Sequence, residues 1–419
     1  MRLVTLLRVS AAPKVAIVLI PWIVMYSGNL SDWIVDGYWE SVTAQSGFMI
    51  GFIAPACAVC AAWEGARLRS SGLLRAAQVR SPLTVAAAHL LPTLLLGIAS
   101  VFLSLLLVAP AAWGQIGGPS LDILGLQLLV VSSHIAVGYV LGLSMAKLIA
   151  LPLALIGSFV WMAYPASMSR MWVRQLNGHN LIECCSLSHV VDTRALVAPA
   201  LVAVGVMACC LVMMMCRSRA LGLLALLPVF TALVAGYHVA KPLGYEAAKE
   251  RDPAALACEG GTPVVCLWPE QQNGEDPRKV HEWGSDAGER LTAAGVPMDL
   301  IVTFSSVNPT EDEVRYMVAG SPVWDVYPEC ATRQAWLGGE ALGPLQAWLA
   351  LTARVNVSSG RSGLTGEELD IAQSVSELEP SLQADWFDMN LQALGQCEQP
   401  PPLDPALYAM PDQALQAAP

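Results

Sequence analysis

The chain has 419 residues, of which 55% are hydrophobic and only 14% charged, with a mean hydropathy of +0.51. That balance excludes an ordinary soluble globular domain. The formal net charge of -11 divides unevenly: residues 1–238 hold 13 Lys/Arg against 7 Asp/Glu, whereas residues 239–419 hold 10 against 27. The acidic half would repel phosphate, which excludes a nucleic-acid partner.

The opening stretch, MRLVTLLRVSAAPK, has no cleavage-site pattern ahead of the apolar run that follows, so a retained N-terminus is expected. Leu3, Leu6 and Leu7 between Arg2 and Arg8 read as a short amphipathic, basic helix. Seven apolar segments then meet or approach the roughly 20 residues that a bilayer core requires. They lie at about 14–27, 46–63, 83–110, 122–145, 148–164, 195–216 and 219–238. Starting with the N-terminus inside, the cytoplasmic ends and loops hold ten Lys/Arg, and the opposite loops hold only Arg170, Arg174 and Arg194. Positive residues near span ends stay cytoplasmic, so the N-terminus is expected inside and, after an odd number of spans, the acidic half outside.

Residues 64–82, EGARLRSSGLLRAAQVRSP, form the sizeable cytoplasmic loop. Leu68, Leu73, Leu74 and Val79 make an apolar stripe among Arg67, Arg69, Arg75 and Arg80, which predicts a short helix at the membrane surface. The ordinary reading is a set of positive anchors; the functional one is a docking surface for a cytoplasmic partner.

The layout of residues 1–238 carries a resemblance. An amphipathic start is followed by one span, a short outer loop, a second span ending in Glu64, and an Arg-rich loop with Ser81-Pro82 before the third span. This resembles the permease subunits of ABC-type exporters of the drug and polysaccharide-export class. The resemblance implies that the 64–82 loop is a coupling helix seated on a cytoplasmic ABC ATPase subunit, with Glu64, Arg67, Arg69, Arg75 and Arg80 as coupling residues. Such permeases usually have six spans and both ends inside, whereas here a seventh span would export the acidic half. That half, with its Val-Cys-Leu-Trp-Pro-Glu core at 265–270, is similar to the C-terminal domain of uncharacterised actinobacterial multi-span membrane proteins, which implies no chemistry. No Gly-x-x-x-x-Gly-Lys-Ser/Thr stretch occurs, so an ATPase would have to be another chain.

Within the spans, ionisable residues are few, and His134, preceded by Ser132 and Ser133, offers a polar patch in the fourth. Its ordinary reading is a hydrogen bond to a neighbouring helix. Loop 165–194 collects Arg170, Arg174, His179, Glu183, Cys184, Cys185, His189 and Asp192, a set that suits a metal or an anionic head group. Because adjacent cysteines do not easily join each other, Cys184 and Cys185 are expected to pair with other segments.

Six cysteines lie on the expected outer side and allow 15 connectivities. Short loop closure favours Cys258 with Cys266, leaving Cys330 with Cys397. A zinc site using Cys258, Cys266, His281 and a carboxylate is the competing reading, although the spacing departs from the usual paired ligands. Thr310 with Glu313 and Thr365 with Glu368 read as capping boxes. Val280, Trp283, Ala287, Leu291 and Ala294 repeat at helical spacing, helices are expected near 334–354 and 380–396, and DLIVTFS at 299–305 reads as a strand. His281-Glu282 lacks the second His of a zinc-protease helix, since Ser285 stands there, and no Gly-x-Ser-x-Gly elbow occurs. No enzyme activity, cofactor or metal is expected.

The whole therefore predicts an α-helical polytopic cell-membrane protein of about seven transmembrane helices, 1–238, with a cytoplasmic N-terminus. A mostly helical α+β extracytoplasmic domain, 239–400, and a Pro-rich disordered tail, 401–419, follow. The expected function is a permease-like subunit or accessory of an ABC-type exporter moving a hydrophobic or amphipathic substrate. Its partners would be the ATPase and the lipid bilayer, and a homodimer is compatible with it. The alternative is a membrane-anchored extracytoplasmic binding or sensing protein, and a membrane-tethered hydrolase is a weaker third reading.

Overall fold

A computed structural model of the chain describes residues 9–30, 34–72, 81–215, 225–245, 247–274, 276–298, 300–357 and 363–408. The chain divides into two compact units, Met1–Arg251 and Asp252–Pro419.

The first unit is helical and apolar. Its helices are α1 (Ala12–Ser27), α2 (Trp39–Ser46), α3 (Ile50–Ser70), α4 (Pro82–Val108), α5 (Leu121–Ser144), α6 (Lys147–Ala163), the single turn α7 (Met171–Arg174), α8 (Thr193–Met215) and α9 (Leu227–Ala240). Stretches Trp39–Ser70, Leu83–Ala112, Leu121–Ser144, Lys147–Ser167 and Thr193–Met215 are long and apolar enough to cross a membrane, among the described residues. Helices α1 and α9 are apolar but shorter, with 16 and 14 residues. Each of the seven expected segments thus contains helix, and five reach spanning length. Residues 216–224, which include 219–224 at the start of the seventh expected span, lie outside the described residues, as do 1–8 with Arg2 and the N-terminal amphipathic stretch.

The second expected span runs further than its apolar residues indicate. Helix α3 continues through Ser70, so Glu64, Arg67 and Arg69 ride on its last turns instead of opening a separate surface helix. Arg75 and Arg80, with the rest of the expected coupling helix, fall in 73–80, outside the described residues.

Helices α3 and α5 form the centre of this unit. The most apolar windows of Trp39–Ser70 and Leu121–Ser144 are 67% buried, against 28% for Lys147–Ser167. Lipid is as apolar as leucine, so helices associate in it through close packing, which small residues permit. Here a Cβ on Gly138 would lie 2.1 Å from the Ala58 carbonyl oxygen, one on Gly142 2.1 Å from that of Ala62, and one on Gly65 2.4 Å from that of Tyr139. The backbones are already in contact at all three places.

Beyond the helices, β1 (His189–Val191) pairs antiparallel with β2 (Ala248–Glu250). Residues 239–251 therefore belong to the first unit, and the boundary falls after Arg251, not after His238. Cys184 and Cys185 are joined to each other. This corrects the expectation that each would pair elsewhere: the chain bends sharply there, with Cys185 at a φ of 91°.

The second unit has a small sheet and six helices among the described residues. Strand β3 (Ala257–Glu259) pairs antiparallel with β4 (Val264–Leu267), which pairs parallel with β5 (Ile301–Val302), the short realised part of the expected 299–305 strand. The helices are α10 (Pro269–Gln272), α11 (Pro277–Ala293), α12 (Glu311–Trp324), α13 (Leu342–Thr352), α14 (Gly366–Ser376) and α15 (Pro380–Leu394). Helix α11 begins at the Asp276 side chain, which accepts from the Lys279 N–H, and buries Val280, Ala287 and Leu291 on one face. Both expected capping boxes start helices, at Thr310 for α12 and Thr365 for α14.

The core gathers Val265, Leu267, Val314, Val318, Trp348, Trp386 and Phe387, with Trp348 edge-on to Trp386 at 6.0 Å between ring centroids. The stretch 401–408 does not behave as the disordered tail its prolines predict. The Trp386 indole donates to the Leu403 carbonyl at 3.1 Å, Asn390 donates to that of Pro402 at 3.2 Å, and Tyr408 is 1% exposed. Burial raises the Tyr408 phenol's pKa to about 12. Residues 409–419 lie outside the described residues.

Disulfides join Cys258 to Cys266, which face each other across β3 and β4, and Cys330 to Cys397. The second spans 67 positions; beside it the Leu337 N–H donates to the Cys397 carbonyl at 2.9 Å.

Two substitutions check these contacts. Gly142→Leu should destabilise the first unit by about 3 kcal/mol or more, read as a fall in thermal unfolding temperature in detergent. Gly125→Leu on the same helix should change little, since a Cβ there meets nothing within 4 Å; equal effects would contradict the packing described. In the full chain, Cys330→Ser with Cys397→Ser should cost the second unit about 4 kcal/mol, more than removing Cys258–Cys266 with its separation of 8. Hydrogen exchange in α15 would report it.

Candidate functional site

Two places in the first unit bring together the polar residues singled out in its spans and at their ends. At the first, Glu64 is fully buried near the end of α3. Its carboxylate accepts from the Ala11 N–H at 2.9 Å and pairs with Arg67 at 2.6 Å, with His89 Nδ1 at 3.9 Å. Arg67 also donates to the Val9 carbonyl at 2.6 Å. A buried carboxylate needs such partners, because leaving it unpaired costs several kcal/mol. The pair thereby fastens the chain entering α1 to the end of α3. Two of the five expected coupling residues are occupied inside the protein, and Arg69 is exposed.

The second place is a cavity of about 410 Å³ among α3, α5, α6, α8 and α9. Helical spacing supplies its walls: Val130, His134, Val137 and Leu141 from α5, Ala154, Ser158 and Trp161 from α6, Pro199, Val202 and Val206 from α8, and Val229 and Leu233 from α9. Almost all of this lining is apolar. His134 Nδ1 and Ser158 Oγ share a hydrogen bond across α5 and α6, and both residues are 8% exposed. Asn177 closes one end, donating to the Met162 and Trp161 carbonyls at 2.9 and 3.1 Å.

Of the expected polar patch, His134 carries the cavity's polarity. Ser133 lines the cavity, but its hydroxyl donates to the Val130 carbonyl at 2.7 Å, and that of Ser132 to Leu128 at 2.7 Å. Both serve their own helix. Ser158 was not singled out in sequence, although it is the one hydroxyl in the apolar run LPLALIGSFVWMA. Asn177 gave no periodic signal.

The residues of loop 165–194 do not converge on one ligand position. Arg174 is buried with its guanidinium 3.8 Å over the Tyr245 ring, and Asp192 pairs with Arg194 at 2.8 Å. Burial alone would raise the Asp192 pKa, but hydrogen bonds and charge from Arg194 bring it below the usual value. His179 is half-buried beside Phe48, and desolvation lowers its pKa against the opposing hydrogen bond with the Phe48 carbonyl. The side chain of Glu183 lies outside the described residues.

In the second unit, Cys258 and Cys266 are spent on their disulfide, and His281 stands 4.0 Å from Glu259. Among the described residues no three His, Cys, Asp or Glu side chains gather as metal ligands.

Residues 265–397 match the model of a domain of unknown function, DUF7224. No curated protein and no solved structure matches the chain.

A double-mutant cycle tests the polar pair. His134→Ala and Ser158→Ala should show a coupling of about 1 kcal/mol in detergent unfolding. Strict additivity would mean that the two groups do not bond.

Proposed function

We propose that the chain is a permease-like subunit of an exporter, in which the cavity between α5, α6, α8 and α9 receives a small hydrophobic or amphipathic molecule and another chain supplies ATP hydrolysis. The observation that carries this reading is the cavity itself. Its roughly 410 Å³ falls within the usual range for small-molecule sites. Apolar walls interrupted by one hydrogen-bonded His134–Ser158 pair favour a ligand that is mostly apolar with one polar end. In this reading the N-terminus lies inside, all seven apolar helices are embedded, and the acidic unit lies outside, following the Lys/Arg distribution. The docking face for an ATPase is narrowed to Arg69 and the undescribed 73–80 stretch, because Glu64 and Arg67 are engaged internally.

A second reading, a membrane-anchored binding or sensing protein, draws support from the acidic unit. It has its own core and carries the matched domain.

Gly157 allows a clean test, since it lines the cavity and a Cβ there meets nothing within 4 Å. Gly157→Phe should fill the space and weaken binding of an environment-sensitive lipophilic dye roughly tenfold while leaving the unfolding temperature nearly unchanged. Undiminished dye binding would remove the cavity from the proposal. Co-purification of a nucleotide-hydrolysing chain with wild type, lost on Arg69→Glu, would support the exporter; its absence from gently solubilised wild type would favour the anchored binding protein.

A further inference from the structure

A second and larger cavity, about 810 Å³, lies in the first unit where the end of α1, the end of α2 and the 182–189 segment meet. Its wall includes the Cys184–Cys185 disulfide. We propose that this disulfide is the reactive group of a thiol–disulfide exchange site that accepts a small, uncharged dithiol.

The disulfide has little structural work to do. A cross-link stabilises a fold mainly by closing a loop in the unfolded chain, and the effect grows with the number of residues enclosed. Cys258–Cys266 and Cys330–Cys397 join residues 8 and 67 positions apart, whereas Cys184 and Cys185 are neighbours and enclose nothing. Keeping the pair also holds Cys185 at a φ of 91°, in the left-handed region that a residue with a Cβ adopts at a cost. A costly local conformation that fastens no distant segments, placed at a cavity wall, points to chemistry.

The surroundings select the reactant. Tyr26, Phe48 and Ile182 present an apolar wall, and Asn29, Gln45, Ser186 and His189 a polar one. His189 Nδ1 is oriented by the hydroxyls of Ser186 and Ser188 at 3.1 and 2.9 Å. Among the described residues no Asp, Glu, Lys or Arg lines the space. The cysteines are only 4% and 7% exposed, so a reagent meets them through the cavity and not from open solvent.

The exchange balances as follows. One thiol of the incoming dithiol loses its proton and attacks a cysteine Sγ; an S–S bond to the reagent forms as the Cys184–Cys185 bond breaks. The electron pair leaves on the other cysteine, which takes up a proton. The reagent's second thiol then attacks the mixed disulfide, departs as a cyclic disulfide, and leaves two cysteine thiols. Two electrons and two protons pass from the dithiol to the protein.

The test uses the full chain in detergent, treated with graded dithiothreitol or with glutathione at equal thiol concentration, then alkylated and mapped by peptide mass spectrometry. Cys258–Cys266 serves as the internal reference, because Cys258 is exposed. The preference for uncharged dithiothreitol over charged glutathione should be roughly tenfold greater at Cys184–Cys185 than at Cys258–Cys266. Phe48→Ala should change the rate at the first pair and not at the second. An equal preference at both pairs, or a Cys184–Cys185 bond that stays closed while Cys258–Cys266 opens, would overturn the proposal.

Discussion

Backbone contact between α3 and α5 is the constraint from which the first unit is built. In lipid no hydrophobic force draws two apolar helices together, so their association depends on how closely main chains approach. Gly65, Gly138 and Gly142 remove the side chains that would hold α3 and α5 apart. Once α5 is fixed in this way, its neighbouring face is fixed too. Val137 and Leu141, each one residue before a contact glycine, turn toward the cavity, and His134 lies one turn away on the same face. The cavity is thus what remains when one side of α5 is pressed against α3 and the other meets helices that pack less tightly.

Two buried polar groups show how differently the unit treats charge and dipole. Glu64 is held by a backbone N–H and a guanidinium, and its surroundings serve to join two chain segments. His134 has one hydroxyl partner and stands beside open volume. The carboxylate's partners are directed at the carboxylate itself, whereas the imidazole and serine leave room next to them. That contrast separates a fastening from a hydrogen-bonded pair that borders open volume.

Legibility in sequence followed the range of the forces involved. Apolar runs revealed the helices because the need to satisfy backbone groups acts within a segment. The capping boxes at Thr310 and Thr365 were readable for the same reason. Helix α3 overran its expected end because Glu64 and Arg67 find partners on the chain before α1, a contact 53 or more positions away that hydropathy does not register. The prolines of 401–408 suggested disorder, yet the Trp386 and Asn390 donors accept that segment as a partner. At the cavity His134 was visible as a rare ionisable residue, while Ser158 and Asn177 acquire meaning only from the helices brought opposite them. The Cys184–Cys185 bond was missed because pairing neighbours requires a backbone turn that composition does not announce.

The packing of 401–408 bears on the order in which the acidic unit can mature. Trp386 lies in the core, but its indole partner is Leu403, and the Asn390 amide waits for Pro402. A ribosome delivers these carbonyls after α10 to α15 have already been made. Until then a growing chain carries the aromatic centre without its last hydrogen-bond acceptors, and the unit is finished only as the strap arrives. Proteolytic trimming just before Pro402 would return a fully formed domain to that earlier, incomplete condition.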